Sequence, residues 1–322
     1  MKAITQEKYG SPEVLSVTEV ARPVVEDDTV LVKVQAASIN AGDWHLMRGS
    51  PFLTRLMFGG LWQPKIKTIG FDIAGTVEAV GKHVTSFQVG DEVFGDMSEC
   101  GFGAFAEYVG ATENALSLKP NNLTFEEAAA VPGAALTALQ ALRDVGEVQP
   151  VQRVLIIGAS GGVGSYAVQL AKAFGADVTA VCGSAKVDRI RSLGADKVMD
   201  YTQIDFTQKG VYDLVVDVAA YRSVFDYLPM LKPRGIYVLV GGAIPRLFQV
   251  MIFGAVISKM SNRTVKSVMV KPNSTDLATL RDLIEADKII PLIDRLYSLA
   301  EVPTAIRRLE QRQVVGKVVI RV

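Results

Sequence analysis

The chain has 322 residues, more than one typical core accommodates, and predicts two domains. Apolar residues make up 49% and charged residues 21%, and 34 basic side chains balance 34 acidic ones, so a large core is available and no charge excess marks a nucleic-acid partner. Only two cysteines, Cys100 and Cys182, are present, which argues against a disulfide framework and for a reducing compartment, expected to be the cytoplasm.

The opening MKAITQEKYG alternates like a strand and lacks the apolar core of a signal peptide. Residues 2–120 read as β-rich. Val30, Val32, Val34 and Ala36 alternate with Leu31, Lys33 and Gln35, a second alternating run covers Phe105 to Val109, and glycines punctuate short strands throughout. A compact barrel-like domain is expected. Between these runs, Asn40 to Gln63 reads as irregular, and its Trp44, Met47, Phe52 and Trp62 either line a substrate pocket or form local core under a long loop.

After Pro120 the pattern changes. Glu126 to Val145 is Ala-rich and helical, divided by Pro132, and apolar strand runs then alternate with helices. The predicted strands are Val154 to Ile157, Val178 to Cys182, Lys197 to Asp200, Asp213 to Val218, Gly235 to Val240 and Thr264 to Val270, with helices from Ser184 to Leu193 and near Ser223 to Leu231. About six parallel strands with intervening helices form a doubly wound sheet, whose ligand lies across the carboxyl ends of the strands. The stretch Leu247 to Ile257 is too short to span a bilayer and is expected to pack over a pocket or a partner subunit, the alternative being a membrane surface. A helix over Asn273 to Ala286, a second carrying Val302, Ile306 and Leu309, and a closing strand from Lys317 to Arg321 are expected to rejoin the first domain. The predicted domains are therefore 1–124 with 272–322, and 125–271.

The chemistry is concentrated between Arg153 and Gly175. An apolar strand runs into Gly158, Gly161, Gly162 and Gly164, and from Val163 the residues Ala167, Leu170, Ala171 and Phe174 recur at helical spacing until Gly175 stops the helix. Strand, glycine turn and helix make a phosphate cradle: backbone N–H groups can close on a pyrophosphate, and the helix dipole favours its charge. The pattern is the looser A-x-G-x-x-G, with Ala159 first, so the alternative reading is a tight structural bend. About 20 residues beyond the glycines an NAD-binding domain carries an acid for the ribose hydroxyls, but here the chain reads Val181, Cys182, Gly183, Ser184, Ala185, Lys186. Ser184 and Lys186 suit a 2′-phosphate and favour NADPH; singly, Ser184 also reads as a helix cap and Lys186 as a solvated side chain.

The stretches VLVKVQAASINAGDW, IGFDIAGTVEAVG, VGDEVFG, GAFAEYV, AAAVPGAALTALQAL, GASGGVGSYAVQLAKAFGA, LGADKVMDY and GKVVI together resemble the medium-chain dehydrogenase/reductase superfamily, in its zinc-independent, zeta-crystallin-like quinone oxidoreductase group. The resemblance implies a GroES-like catalytic domain beside a Rossmann domain. It implies that Ser160, Gly161, Gly162, Val163 and Gly164 hold the pyrophosphate, that Ser184, Lys186 and Tyr201 hold the 2′-phosphate end, and that Thr137, Gly241, Gly242 and Ala243 neighbour the nicotinamide. Asn40 and Asp43 are implied near the reacting carbons, with the alternative that they only hold the loop backbone; Trp44, Met47 and Phe94 are expected as apolar walls. Zinc-dependent relatives carry a cysteine near Asn40 to Asp43 and a G-H-E sequence where this chain has Gly70, Phe71 and Asp72, so no metal is expected, and His45 and His83 read as structural or surface groups.

Without a strong Lewis acid, simple alcohol oxidation is disfavoured, whereas a quinone or enone can take hydride and spread the resulting charge over an enolate or hydroquinone oxygen. The expected function is hydride transfer from NADPH to a quinone or other conjugated carbonyl. Alternatives are an alkenal or enone double-bond reductase, or a cofactor-binding protein with little turnover. The partners expected are a small-molecule substrate and a second copy, paired through the edge near Thr264 to Val270, with no nucleic acid and no stable membrane insertion.

Overall fold

The computed structural model describes residues 1–58, 60–208 and 210–322. The chain divides into two compact units, one of residues 1–134, 272–286 and 291–322, the other of 135–271 and 287–290.

The first unit opens with a two-stranded antiparallel ribbon of β1 (Lys2–Gln6) and β2 (Leu15–Glu19). The alternating Val30 to Ala36 run becomes β3 (Thr29–Ile39), the spine of a seven-stranded sheet. The stretch expected to be irregular holds two helices, α1 (Ala41–Arg48) and α2 (Phe52–Met57). Asp43 sits at the third position of α1 and its Oδ2 accepts the Asn40 backbone N–H at 2.7 Å, while Gly49, at φ 57°, closes the helix in the left-handed conformation. Strands β4 (Asp72–Val80), β5 (Glu92–Asp96), β6 (Tyr108–Thr112) and β7 (Leu116–Leu118) follow, then α3 (Phe125–Ala129). The second alternating run is displaced: Phe105 is a fully buried loop residue, and the strand that pairs with β3 begins at Tyr108.

Pro132 opens α4 (Pro132–Gln140), which ends in a π turn over Ala141–Val145. In the second unit the strands and helices alternate as β8 (Arg153–Ile157), α5 (Gly162–Ala173), β9 (Asp177–Cys182), α6 (Val187–Arg191), β10 (Lys197–Asp200), β11 (Tyr212–Asp217), α7 (Val224–Tyr227), β12 (Leu231–Leu239), α8 (Ile244–Met260) and β13 (Thr264–Ser267). All six strands are parallel, in the order β10-β9-β8-β11-β12-β13. Counted from β8 this is 3-2-1-4-5-6, the doubly wound order, in which the switch point lies between the first and fourth strands. Val154, Leu155 and Ile156 of β8 are fully buried, as a central parallel strand covered on both faces requires. Helix α8 turns Val250 and Ile257 inward and leaves Met251, Ile252 and Val256 exposed. Among the described residues no helix is long and apolar enough to cross a membrane.

The chain then returns to the first unit through α9 (Ser274–Glu285), β14 (Ile293–Ser298), α10 (Val302–Glu310) and β15 (Lys317–Arg321). Leu277, Leu280 and Ile284 line the buried side of α9, and Asn273 caps it by accepting the Asp276 N–H at 2.8 Å. The closing strand β15 pairs antiparallel with β3, Val318 opposite Ile39, and parallel with β14. Strand β14 is not visible in the sequence pattern, because IDRLYS does not alternate and none of its residues is buried.

Candidate functional site

At the carboxyl end of β8, Gly158 takes φ 81° and turns the chain away from the sheet. Gly161 then precedes α5 in extended conformation, and Ser165 N donates to Gly161 O at 2.9 Å to close the first helical turn. The three glycines after Gly158 serve different needs. A Cβ on Gly164 would stand 2.2 Å from Gly158 O and 2.7 Å from Ala159 Cα, so α5 and the turn lie too close for any side chain. A Cβ on Gly161 would meet only Gly158 O, at 3.6 Å, and otherwise open space. Gly162 and Val163 are half-buried, and the N–H groups of the first helical turn have no intrahelical acceptor. The turn therefore offers backbone donors and bare backbone at the positive end of a 12-residue helix, a seat for a phosphate-bearing ligand such as a dinucleotide.

A second backbone turn lines the ends of β11 and β12. The fully buried Asp217 accepts N–H donors from Ala219 at 3.1 Å and Ala220 at 2.8 Å, and the Tyr237 hydroxyl at 2.8 Å. Burial raises its pKa, and those three donors act against the rise. Gly242, at φ 117°, packs on Ala219, whose carbonyl oxygen a Cβ would meet at 2.3 Å, while Gly241 faces open space. Ala243 is exposed and Thr137, on α4, is half-buried. Asp217 escapes the local sequence pattern; its signal is an acid directly after the apolar Leu214, Val215 and Val216.

Near the end of β9, Ser184 does not cap a helix. Its hydroxyl donates to Asp200 Oδ2 at 2.5 Å and lies 2.7 Å from Thr202 Oγ1, which in turn donates to Asp200 Oδ1 at 2.7 Å. The hydroxyl bond from Ser184 is the main cause of a lowered Asp200 pKa. Lys186 is half-buried in the same turn, and the exposed Tyr201 brings its hydroxyl to 3.4 Å from where a Gly183 Cβ would be.

In the first unit, Asn40 belongs to a buried polar cluster. Its Nδ2 donates to Asp72 Oδ2 at 2.8 Å, and its Oδ1 accepts Lys317 Nζ at 2.5 Å. Asp72 also accepts Ser38 Oγ, Lys317 Nζ and the Gly133 N–H, at 2.8, 3.1 and 2.8 Å. Lys317 is 3% exposed and Asp72 not at all. Asp43 is likewise sealed; burial holds its pKa well above the ordinary carboxyl value, and its Oδ1 has no hydrogen-bond partner. Burial, and then the Asp72 charge, push Asp96 up to about 7. Of the expected apolar walls, Trp44 is half-buried and stacked on His45, but Met47 and Phe94 are 0% exposed. Neither presents surface to a ligand: α1 turns Met47 into the hydrophobic core that also holds Val93, and the pleat of β5 buries Phe94 on the face opposite Val93. His45 Nδ1 lies 2.6 Å from Ser50 O, and the exposed His83 pairs with Asp28.

The alcohol dehydrogenase GroES-like domain family matches residues 26–121, and the zinc-binding dehydrogenase family matches residues 193–320. A chloroplastic quinone-oxidoreductase homolog of Spinacia oleracea is 33% identical, with 99% of this chain and 98% of that protein covered. A chloroplastic NADPH-dependent alkenal/one oxidoreductase of Arabidopsis thaliana is also 33% identical, over 99% of this chain and 79% of that protein. Among solved structures, the quinone oxidoreductase from Coxiella burnetii superposes with a TM-score of 0.90 at 32% identity, covering 100% and 99% of the two chains. The zinc in the second family's description does not fit these residues. Phe71 has no donor atom and packs edge-on against Phe102, both Asp72 oxygens are engaged, and the described residues contain no cluster of three or more His, Cys, Asp or Glu able to hold a metal.

Proposed function

We infer that this chain, which belongs to the quinone oxidoreductase group of the medium-chain dehydrogenase/reductase superfamily, is an NADPH-dependent reductase of quinones or other conjugated carbonyl compounds. The observation that carries the reading is the glycine turn at the carboxyl end of the central parallel strand, open at Gly161 and closed by contact at Gly164. Ser160, Gly161, Gly162, Val163 and Gly164 would hold the pyrophosphate, Ser184, Lys186 and Tyr201 the 2′-phosphate end, and Thr137, Gly241, Gly242 and Ala243 the nicotinamide. When bound, NADPH supplies a hydride. The unit of residues 1–134, 272–286 and 291–322 would be the catalytic domain, and the unit of residues 135–271 and 287–290 the cofactor domain.

The chain's own contribution is placement and hydrogen bonding. Lys317 and Asp72 fix the Asn40 carboxamide, one of whose two Nδ2 hydrogens goes to Asp72. Asn40 is half-buried, and its second Nδ2 hydrogen is our candidate donor to an acceptor oxygen gaining negative charge. Asp43 acts as a positioning residue that sets the start of α1, and Trp44 remains a candidate apolar wall. A homodimer through β13, the last strand of its sheet, and a cytoplasmic location complete the reading, although both relatives described above are named chloroplastic. The Arabidopsis relative's name favours a second reading, reduction of an alkenal or enone double bond.

Steady-state oxidation of NADPH and NADH, with 9,10-phenanthrenequinone and a simple α,β-unsaturated ketone as acceptors, tests this. Turnover is expected with NADPH in preference to NADH, and the better acceptor chooses between the readings. Tight NADPH binding with no turnover on any acceptor would instead support a cofactor-binding protein.

A further inference from the structure

The acid absent from the end of β9 stands one strand away. Strand β10 pairs in parallel with β9, with Asp200 directly opposite Cys182, the last residue of β9. From there its carboxylate reaches the Ser184 hydroxyl at 2.5 Å and takes two donors from Thr202, the backbone N–H at 2.9 Å and the hydroxyl at 2.7 Å. The Ser184 proton that a 2′-phosphate would use is thus already given to an anion. Asp200 carries a full negative charge at neutral pH, since these donors hold its pKa below the ordinary value.

We propose that Asp200 is a specificity-determining residue at the adenosine end, opposing a 2′-phosphate and accepting the hydroxyl of an unphosphorylated ribose, so that the site takes NADH as well as NADPH. The inference rests on the dinucleotide reading above. Two anions sharing one hydroxyl donor repel each other, while a ribose hydroxyl can donate to the same carboxylate. Lys186, from the same turn, attracts the 2′-phosphate, and Asp200 sets how much of that attraction is retained. The substitution of choice is Asp200→Asn, which keeps the shape and an acceptor oxygen while removing the charge.

The test is calorimetric titration of the full chain, without acceptor, by NADPH, NADH, 2′,5′-ADP and 5′-AMP, for wild type, Asp200→Asn and Asp200→Ser. Both variants are expected to bind NADPH and 2′,5′-ADP roughly tenfold or more tightly, with NADH and 5′-AMP unchanged or weakened. An unchanged ratio of NADPH to NADH affinity in the variant that folds like wild type would overturn the assignment of Asp200 while leaving the dinucleotide reading intact. Failure of wild type to bind either dinucleotide would sink that reading and this inference together.

Discussion

Gly161 and Gly164 are three residues apart in one motif, and their substitutions should fail in opposite ways. In Gly164→Ala the new methyl would lie 2.2 Å from Gly158 O and 2.7 Å from Ala159 Cα, both backbone atoms that no rotamer change can move. Overpacking typically costs about 1–3 kcal/mol, and a backbone obstacle puts this case at the upper end. Better helix propensity returns up to about 1 kcal/mol. The net loss of about 2 kcal/mol should lower Tm by roughly 4–8 °C. Gly161 stands at φ −82° and ψ 176°, a conformation open to alanine, with its nearest obstacle at an ordinary 3.6 Å. Gly161→Ala should therefore keep its stability or gain roughly 0.4–1 kcal/mol through the unfolded chain. Its methyl, however, would occupy the open side of the turn and weaken NADPH by about tenfold or more. Thermal unfolding without ligand and fluorescence titration with NADPH separate the two effects. Wild-type NADPH affinity in Gly161→Ala, or a wild-type Tm in Gly164→Ala, would refute the division of roles.

Lys186→Ala should weaken NADPH by about tenfold and leave NADH nearly unchanged in the same titration; equal losses would remove Lys186 from the 2′-phosphate. Lys317→Met leaves the buried Asp72 without the ammonium 3.1 Å away, and urea unfolding should show a loss of about 3–5 kcal/mol, whereas a loss below about 1 kcal/mol would mean the cluster relaxes to water. Asp96 ionises at about 7 in the fold, against an ordinary value of 3.8. The unfolded chain therefore loses this proton first, and the folded state loses stability as pH rises from about 4 to about 7. Asp96→Asn should match wild type below about pH 4 and exceed it above pH 7 in urea unfolding; a constant difference across that range would contradict the burial argument.

Much of the second unit was legible because its signals are local. Each central strand is a short apolar run, each break carries glycine or a polar cluster, and Lys197 to Asp200 falls on the observed strand. The first unit was harder. Helix α1 was missed although Asn40 and Asp43 have the spacing of a capping box, because the apolar side chains after them follow no clean helical period. Strand β14 was missed because an edge strand held by one neighbour needs no buried face.

What the sequence determined by itself is the alternation that makes six parallel strands and the glycines that let α5 approach β8, since both follow from periodicity and from the absence of a Cβ. Only the tertiary structure decided which polar groups meet. Lys317 reaches Asn40 across 277 positions because β15 lies beside β3. Asp200 meets Ser184 because the register of β10 sets it opposite Cys182. Met47 and Phe94 became core rather than pocket through the facing of α1 and β5. Such meetings depend on strand order and register, which pair residues without regard to their distance along the chain, so no local pattern announces them.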